Sequence, residues 1–212
     1  MKLDRRHFLG ATIAASASLI APASLSSPRK VNTPLNHPPE TRLAAEPPLL
    51  QKALAALDRH SAHFTYRDRI GLVDFAKHSG KTRFHVADIE GGSILRSLLV
   101  SHGRGSDPDN SGYATRFSNR PGSHASSNGS YLTGDAYVGK HGRSRRLHGL
   151  DEANDQAFQR AIVIHGAGYV DRTMAELQGR VGRSLGCFAF ELSEIGGVLE
   201  LLGPGRLLFA AD

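Results

Sequence analysis

The sequence of 212 residues contains a single cysteine, Cys187. One cysteine cannot form an internal disulfide, so the fold must be stable without one. A free thiol has two interpretations. It is a nucleophile if a base or a positive charge lies beside it, and otherwise it is a small residue buried in the apolar core.

The sequence also lacks basic residues at helical spacing and aromatic motifs that would stack on bases, and it has no internal repeat. These absences argue against nucleic acid as a partner, although the net charge is +6. Residues 1–23 carry a net charge of +2, so the rest of the chain carries +4, which suits weak attraction to anionic cell-envelope polymers. The composition, 40% hydrophobic and 22% charged, predicts one globular domain plus tails.

The apolar run near the N-terminus is too short to cross a bilayer. It follows Arg5-Arg6 and ends at Ala21-Pro22-Ala23, which predicts a twin-arginine-type export signal over residues 1–23, cleaved after Ala23. No cysteine follows the run, so we expect no lipid anchor and no stable membrane anchor after cleavage. We therefore expect export to the periplasm or cell envelope, where an idle thiol risks oxidation; this favours the nucleophile interpretation of Cys187.

Residues 24–46 contain Pro28, Pro34, Pro38 and Pro39 among polar residues, which is typical of a flexible spacer. The globular domain is predicted over residues 47–212. It opens with an amphipathic helix whose apolar residues lie between Leu49 and Leu57.

The rest of the domain is predicted to be mainly β, with two or three short peripheral helices. The first strands are Arg69–Ala76 and a hairpin of Arg83–Ile89 with Ser93–Val100. The Gly-, Ser- and Asn-rich stretch 107–149 is too long for a bare loop, so we expect short strands separated by tight turns. The remaining predictions are strands Ser130–Leu132, Ala136–Val138, Arg145–Leu147 and Arg206–Ala210, a helical turn Asp151–Phe158, and a helix capped by Ser193 that reaches Leu202.

Two apolar runs present His165 and Cys187, which are separated by 22 positions. This spacing suits two neighbouring strands joined by a loop. An imidazole can take the thiol proton, and the small residues Gly182, Ser184 and Gly186 allow backbone amides to turn toward a developing oxyanion. This is the minimum equipment for acyl transfer, although both residues could instead be satisfied core residues.

Several segments together form a more specific pattern. They are SHGRGS at 101–106, FSN at 117–119, GSHASSNGSYLTGDAYVGKHG at 122–142, RAIVIHGAGYV at 160–170 and GRSLGCFAF at 182–190. They resemble the L,D-transpeptidase (YkuD-like) catalytic domains of bacterial cell-wall enzymes, in the branch with a divergent murein L,D-transpeptidase catalytic domain. The likeness covers roughly residues 69–209 and implies a β-sandwich or barrel.

The resemblance also implies roles for residues of this chain. Cys187 would be the nucleophile, His165 the base, and the amides of Leu185, Gly186 and Cys187 the oxyanion hole. Many relatives have Ser-His-Gly before the cysteine, whereas this chain has Ser184-Leu185-Gly186, so the second histidine is absent. No cofactor is implied, and we expect a monomer.

The implied reaction acts on peptidoglycan stem peptides. The thiolate would attack the carbonyl at an L-configured centre of diaminopimelate or lysine, expel the terminal D-residue and form a thioester. An amine of a neighbouring stem would resolve the thioester to a cross-link, whereas water would make the enzyme an L,D-carboxypeptidase. A catalytically idle wall-binding module remains a further alternative.

A zinc-dependent murein hydrolase is also an alternative, because an exported hydrolase with several histidines can bind zinc. The histidines in question are His102, His124, His141 and His148. The sequence lacks H-E-x-x-H or a similar short-range pair, so we expect no metal site.

Eight further residues are candidates for substrate binding, and each has an ordinary alternative. Arg183 could favour the thiolate or hold a carboxylate, or be a solvated loop residue. Ser184 could orient the base or form the turn, and Tyr169 could line the cleft or simply pack. The remaining candidates are Gly166 beside the base, Ser126 and Ser127 as a cleft wall, and His124 and His141 as polar cleft or loop residues.

Overall fold

The computed structural model describes residues 41–42 and 48–212. The predicted export signal lies outside the described residues, as does the predicted spacer apart from Thr41–Arg42. Helices are α1 (Pro48–Arg59), α2 (Arg172–Gln178) and α3 (Ile195–Leu201), with a 3-10 turn at Ser61–His63. Strands are β1 (Thr41–Arg42), β2 (Arg69–Asp74), β3 (Phe84–Asp88), β4 (Ser93–Leu98), β5 (Gly129–Gly139), β6 (Gly142–Gly149), β7 (Val163–Gly166), β8 (Phe188–Phe190) and β9 (Leu207–Ala211).

The described strands form one mixed sheet in the order β1-β4-β3-β2-β9-β5-β6-β7-β8. The C-terminal strand β9 lies in the middle, parallel to β2 and antiparallel to β5. β7 and β8 are parallel neighbours at one end. The prediction of a mainly β fold with a few short helices is therefore confirmed.

Apolar residues on the two faces of the sheet form separate cores, because successive strand residues point to opposite faces. In β9, Leu208 packs into the larger core and Leu207 into the smaller one. The smaller core is covered by α1, whose buried residues are Leu50, Ala53, Ala56 and Leu57. The predicted first helix is confirmed, and its apolar face packs on the sheet.

The sheet curls around the larger core, so strands far apart in the sheet order meet there. Phe84 of β3 and Phe190 of β8 are in edge-to-face contact, with ring centroids 4.6 Å apart. Beyond β4 the chain continues beside β8, where the Ser101 amide donates to the Ala189 carbonyl at 3.0 Å. This closure brings residues 101–106 under the start of β8.

The stretch predicted as three short strands is instead one long hairpin, β5 and β6. An irregularity between Thr133 and Ala136 shifts the register, and pairing continues on both sides of it, from Tyr131–Gly149 to Gly139–Gly142. A β-bulge thus absorbs the polar and glycine residues that suggested turns. Residues 151–160, where a helical turn was predicted at Asp151–Phe158, form turns and no regular helix. Helix α3 begins after Glu194, and the predicted side-chain cap from Ser193 is not formed.

Helix α2 was missing from the sequence-based assignment, which placed a loop between the two strands. Parallel neighbours need a crossover connection, commonly a helix. The Asp171 side chain caps α2 by accepting from the Met174 amide at 2.8 Å, and Gly179 ends the helix in the left-handed conformation. Among the described residues, no helix is long and apolar enough to cross a membrane.

Candidate functional site

The pairing of β7 with β8 determines where His165 and Cys187 lie. Ile164 pairs with Phe188, and both side chains enter the larger core. Residues one position away on each strand point to the opposite face. His165 follows Ile164 and Cys187 precedes Phe188, so the strand alternation places both side chains on the same face, away from this core.

A cleft of about 400 Å³ opens on that face. His165 is only 2% exposed, whereas Cys187 is partly exposed to the cleft. The cleft is lined by Tyr137, Lys140, His141, Arg160, Ala161, Val163, His165, Tyr169, Arg183, Ser184, Leu185 and Cys187. The structure thus brings the predicted nucleophile and base into one cavity.

The ring of His165 is held in one orientation. Its Nδ1 lies 2.9 Å from the carbonyl oxygen of Gly166, which can only accept, so Nδ1 carries the proton and donates. In the neutral ring Nε2 is then the unprotonated nitrogen. The His141 ring stacks on His165 with centroids 4.3 Å apart. Burial lowers the pKa of His165, and the nearby His141 and Lys140 lower it further, so the imidazole is neutral and able to accept a proton.

The thiol of Cys187 lies 3.5 Å from the carbonyl oxygen of Ala161. Burial raises the pKa of the thiol, while the Val163 amide and the positive charges of Arg160 and Lys140 oppose that rise. The net direction is upward. At rest the cleft therefore holds a neutral thiol and a neutral imidazole, and not a preformed thiolate and imidazolium.

The turn before Cys187 is braced by Ser184. Its hydroxyl donates to the Cys187 carbonyl at 2.7 Å and accepts from the Gly186 amide at 3.1 Å. Ser184 thus forms the turn, which was one of its two sequence-based interpretations. Because the Gly186 amide is engaged, the amides of Leu185 and Cys187 are the stronger candidates for an oxyanion hole.

Three more predicted residues line the cleft around the thiol. Arg183 donates to the main-chain carbonyl of Asp107, which holds the guanidinium against the protein. Burial and the neighbouring Cys187 raise the pKa of Tyr169 to about 12, so its phenol is neutral. Leu185, 52% exposed, presents an apolar side chain to the cleft.

The structure does not bring four of the predicted substrate-binding residues into the cleft lining. Ser126 and Ser127 are each 1% exposed: the first accepts from the Gly103 amide, and the second contacts the Arg160 guanidinium. His124 accepts from Arg104 outside the cleft, and Gly166 is buried within β7. The polar atoms of these residues bond to other parts of the protein, so these residues support the loops behind the cleft.

Sequence reasoning missed Tyr137, Lys140 and Arg160, which also line the cleft. The first two lie at the end of the β5–β6 hairpin, and only the long hairpin carries them there. Arg160 ties several loops together by donating to Ser118, Ser123, Ala125 and Ser127. The sequence feature that could have identified Arg160 is its position directly before the apolar run that leads to His165.

The histidines that suggested zinc are dispersed. His102 is fully buried, His148 stacks on Phe158, and His141 stacks on His165. Within the part of the chain that the structure describes, no three His, Cys, Asp or Glu side chains are grouped so as to hold a metal ion.

The family of the chain follows from a comparison with protein-family models. The family model of the L,D-transpeptidase catalytic domain matches residues 42–211. No curated protein is similar enough in sequence to match the chain.

Solved structures to which the chain is similar include L,D-transpeptidases. The L,D-transpeptidase from Mycobacterium smegmatis is 13% identical, with a TM-score of 0.43, over 68% of this chain and 59% of that one. An L,D-transpeptidase from Xylanimonas cellulosilytica is 16% identical, with a TM-score of 0.40, over 78% and 70%. The helical cell shape determining protein Pgp2 from Campylobacter jejuni is 13% identical, with a TM-score of 0.42, over 70% and 48%. The chain thus spans less than two thirds of the Mycobacterium smegmatis and Campylobacter jejuni proteins.

Replacing Gly186 by alanine should destabilise the domain. Gly186 has φ 114°, and an added Cβ would lie 2.6 Å from the Ala125 carbonyl oxygen and 2.8 Å from Cδ1 of Ile162. Strain and overpacking together should lower the free energy of unfolding by about 2–5 kcal/mol, measured by urea denaturation. The control is Gly196→Ala in α3, where an added Cβ meets nothing within 4 Å; it should stabilise by about 0.5–1 kcal/mol. Equal effects of the two substitutions would contradict this account of the turn.

The reactivity of Cys187 should keep rising into alkaline solution. Because burial raises the thiol pKa, the rate of alkylation by iodoacetamide should increase from about pH 7 to about pH 9 without a plateau. Lys140→Gln removes a charge that favours the thiolate and should shift the pH profile of alkylation to higher pH. The control Lys52→Gln, at an exposed position of α1, should not shift it. A plateau near neutral pH would instead indicate a resting thiolate.

Proposed function

Since the chain belongs to the L,D-transpeptidase catalytic domain family, we propose that it is a cysteine-dependent murein L,D-transpeptidase that acts on peptidoglycan stem peptides. The observation that carries this proposal is the placement of Cys187 and His165 on one face of β7 and β8, in a cleft open to solvent. The family has divergent members, so the roles below are derived from the geometry of this chain.

The first step is proton transfer from the Cys187 thiol to Nε2 of His165. His165 is suited to accept it because Nδ1–H is already donated to the Gly166 carbonyl, and that acceptor stabilises the imidazolium that forms. The thiol must turn from the Ala161 carbonyl toward the imidazole as substrate enters. Since both groups are neutral at rest, proton transfer accompanies the attack of sulfur on the substrate carbonyl.

The sulfur then forms a bond to the carbonyl carbon at the L-centre of the stem residue, and the carbonyl oxygen becomes negative. The amides of Leu185 and Cys187 are the groups best placed in the turn to donate to that oxygen. Collapse of the intermediate breaks the bond to the terminal D-residue. The imidazolium of His165 returns its proton to the leaving amine, and a thioester on Cys187 remains.

The second step resolves the thioester. His165 takes a proton from the incoming amine, the amine nitrogen bonds to the carbonyl carbon, and the Cys187 sulfur leaves and recovers a proton. An amine of a second stem gives a cross-link, whereas water gives the L,D-carboxypeptidase reaction. The same two side chains serve both outcomes, so the acceptor that the cleft admits decides between them.

The walls of the cleft fit a peptide that carries carboxylates. Lys140, Arg160 and Arg183 supply positive charge, while Tyr137 and Leu185 supply apolar surface. Carboxylates of a stem peptide would be attracted to the charged wall, and the peptide backbone would lie over the apolar one. These residues, with Tyr169 at the same cleft, are our proposed substrate contacts.

Such a substrate places the enzyme outside the cytoplasm. The twin-arginine-type pattern of residues 1–23 supports export to the periplasm or cell envelope, with the proline-containing residues N-terminal to β1 as a spacer. We propose that the mature domain acts there as a monomer, without a cofactor.

Removing the nucleophile should abolish the reaction. We expect Cys187→Ala to lower exchange of a terminal D-amino acid on a tetrapeptide stem by about a thousandfold or more, and His165→Ala by about a hundredfold to ten-thousandfold. His148→Ala, outside the cleft, is the control and should retain activity. Mass spectrometry of the products distinguishes cross-linked dimers from hydrolysed tripeptides. Unchanged activity of Cys187→Ala would refute the proposal.

Replacing Arg5 and Arg6 together by lysine should block export. The twin-arginine signal is read as an address and not as charge, so the lysine pair keeps the charge but loses recognition. Fractionation should then find the precursor in the cytoplasm. The control Arg29→Lys, beyond the predicted cleavage site, should be exported, and export of the double variant would contradict the predicted signal type.

A further inference from the structure

The motif SHGRGS at residues 101–106 lies beneath the turn that carries Cys187 and has no part in the mechanism above. Its main chain holds that turn on two sides. The Ser184 amide donates to the His102 carbonyl at 2.9 Å, and the Arg104 amide donates to the Ser184 carbonyl at 2.9 Å. The Gly103 amide donates to the Ser126 hydroxyl at 2.9 Å, and that hydroxyl lies 3.5 Å from the Gly186 carbonyl. The position of the nucleophile therefore depends on where this segment is held.

The side chain of His102 is fully buried between a cation and an anion. The Arg83 guanidinium lies 2.7 Å from Nδ1, and the Asp107 carboxylate lies 3.3 Å from Nε2. A guanidinium only donates, so Nδ1 must accept, and the proton of the neutral ring is on Nε2, where it is donated to Asp107. The surroundings thus specify both the protonation state and the tautomer of His102.

Both charged partners are themselves fixed by the main chain. Arg83, 0% exposed, also donates to the Val100 carbonyl at 2.9 and 3.1 Å and to the Lys77 carbonyl at 2.9 Å. Asp107 accepts from the amides of Ser111 and Gly112 at 2.7 and 2.8 Å. Its own carbonyl accepts from Arg183 in the cleft wall. A continuous hydrogen-bonded chain thus runs from the buried cation to the cleft.

We propose that His102 is a positioning residue for the nucleophile: as a neutral ring that joins Arg83 to Asp107, it holds residues 101–104 against Ser184 and so fixes the Cys187 turn. The role rests on the proposed function only in taking Cys187 as the nucleophile. His102 does not line the cleft and acts entirely through the turn.

The electrostatics agree with a ring that is neutral at neutral pH. Burial and the adjacent Arg83 lower the pKa of His102 to about 4, with Arg183 acting in the same direction and Asp107 opposing. The charged groups that face the ring are Arg83, Asp107 and Arg183, and Asp74 acts on Arg83 from β2. Because the folded pKa lies below the ordinary 6.5, the stabilisation is complete above 6.5 and is lost as pH falls toward about 4.

The test compares His102→Leu with His102→Asn. Asparagine can place an acceptor near the position of Nδ1 and keep the bond from Arg83, whereas leucine removes it. We expect His102→Leu to lower kcat by about tenfold to a hundredfold with KM nearly unchanged, because the turn is displaced. Alkylation of Cys187 by iodoacetamide should at the same time become faster, with its pH profile shifted to lower pH, because a loosened turn hydrates the thiol. His102→Asn should recover part of both changes.

Leu57→Ala is the matched control for a loss of stability alone. Leu57 is a residue of α1 that packs in the smaller core and does not line the cleft, so its truncation should destabilise the domain without changing kcat or the alkylation profile of the folded protein. Far-UV circular dichroism checks that every variant is folded. The proposal is overturned if His102→Leu behaves like the unmodified protein, or if Leu57→Ala reproduces its effects. The alkylation readout needs no substrate, so it stands even if the proposed reaction fails.

A measurement on the unmodified protein covers the case in which His102→Leu does not fold. Amide hydrogen exchange of Ser184 and Arg104, corrected for the intrinsic pH dependence, should show protection falling as pH drops from about 6.5 to about 4. The corrected protection of the Ile70 amide in β2, whose side chain packs in the smaller core, serves as the reference. Protection of the two turn amides that follows the reference at every pH would overturn the proposal.

Discussion

The parallel pairing of β7 with β8 is the constraint on which the site depends. It aligns Ile164 with Phe188, so the neighbouring side chains, His165 and Cys187, share the face opposite the larger core. A shift of β8 by one residue against β7 would turn Cys187 toward the core while His165 stayed on the opposite face. The burial of Phe188 and Phe190, through contacts with β3 and β5 side chains, therefore fixes the chemical groups indirectly. One face of these short strands packs in the larger core, and the opposite face carries His165 and Cys187.

Burial and the nearby positive charges have opposite effects on the pKa of the Cys187 thiol. Desolvation disfavours both charged forms, so it raises the pKa of Cys187 and lowers that of His165. Arg160 and Lys140 favour the thiolate without reversing the direction. A neutral thiol is a poor nucleophile in the resting protein, which protects it from oxidation outside the reaction. In the proposed reaction, activation of the thiol coincides with the arrival of a substrate whose carbonyl accepts the electron pair.

Much of the organisation could be predicted from the sequence because it depends on local patterns. Apolar runs marked β7 and β8, glycine turns marked the β3–β4 hairpin, and leucine spacing marked α1. The long β5–β6 hairpin was not predicted, because the bulge near Thr133 resembles a turn until its partner strand is known. For the same reason Lys140 was missed as part of the cleft wall. Ser126 and Ser127 were wrongly predicted to form a wall of the cleft. The sequence alone does not show whether a polar side chain bonds to a substrate or to the protein's own backbone.

The cleft has one wall built from the core strands and another built from the end of the β5–β6 hairpin. Lys140 and His141 are exposed there, and the adjacent Val138 is 79% exposed, so this end is not tied to either core. Under the proposed function, the groups that break the bond and the surface that meets the peptide thus belong to parts of the chain with different tolerance to change. Substitutions at this hairpin end could then alter which peptide binds, while the pairing of β7 with β8 stays the same.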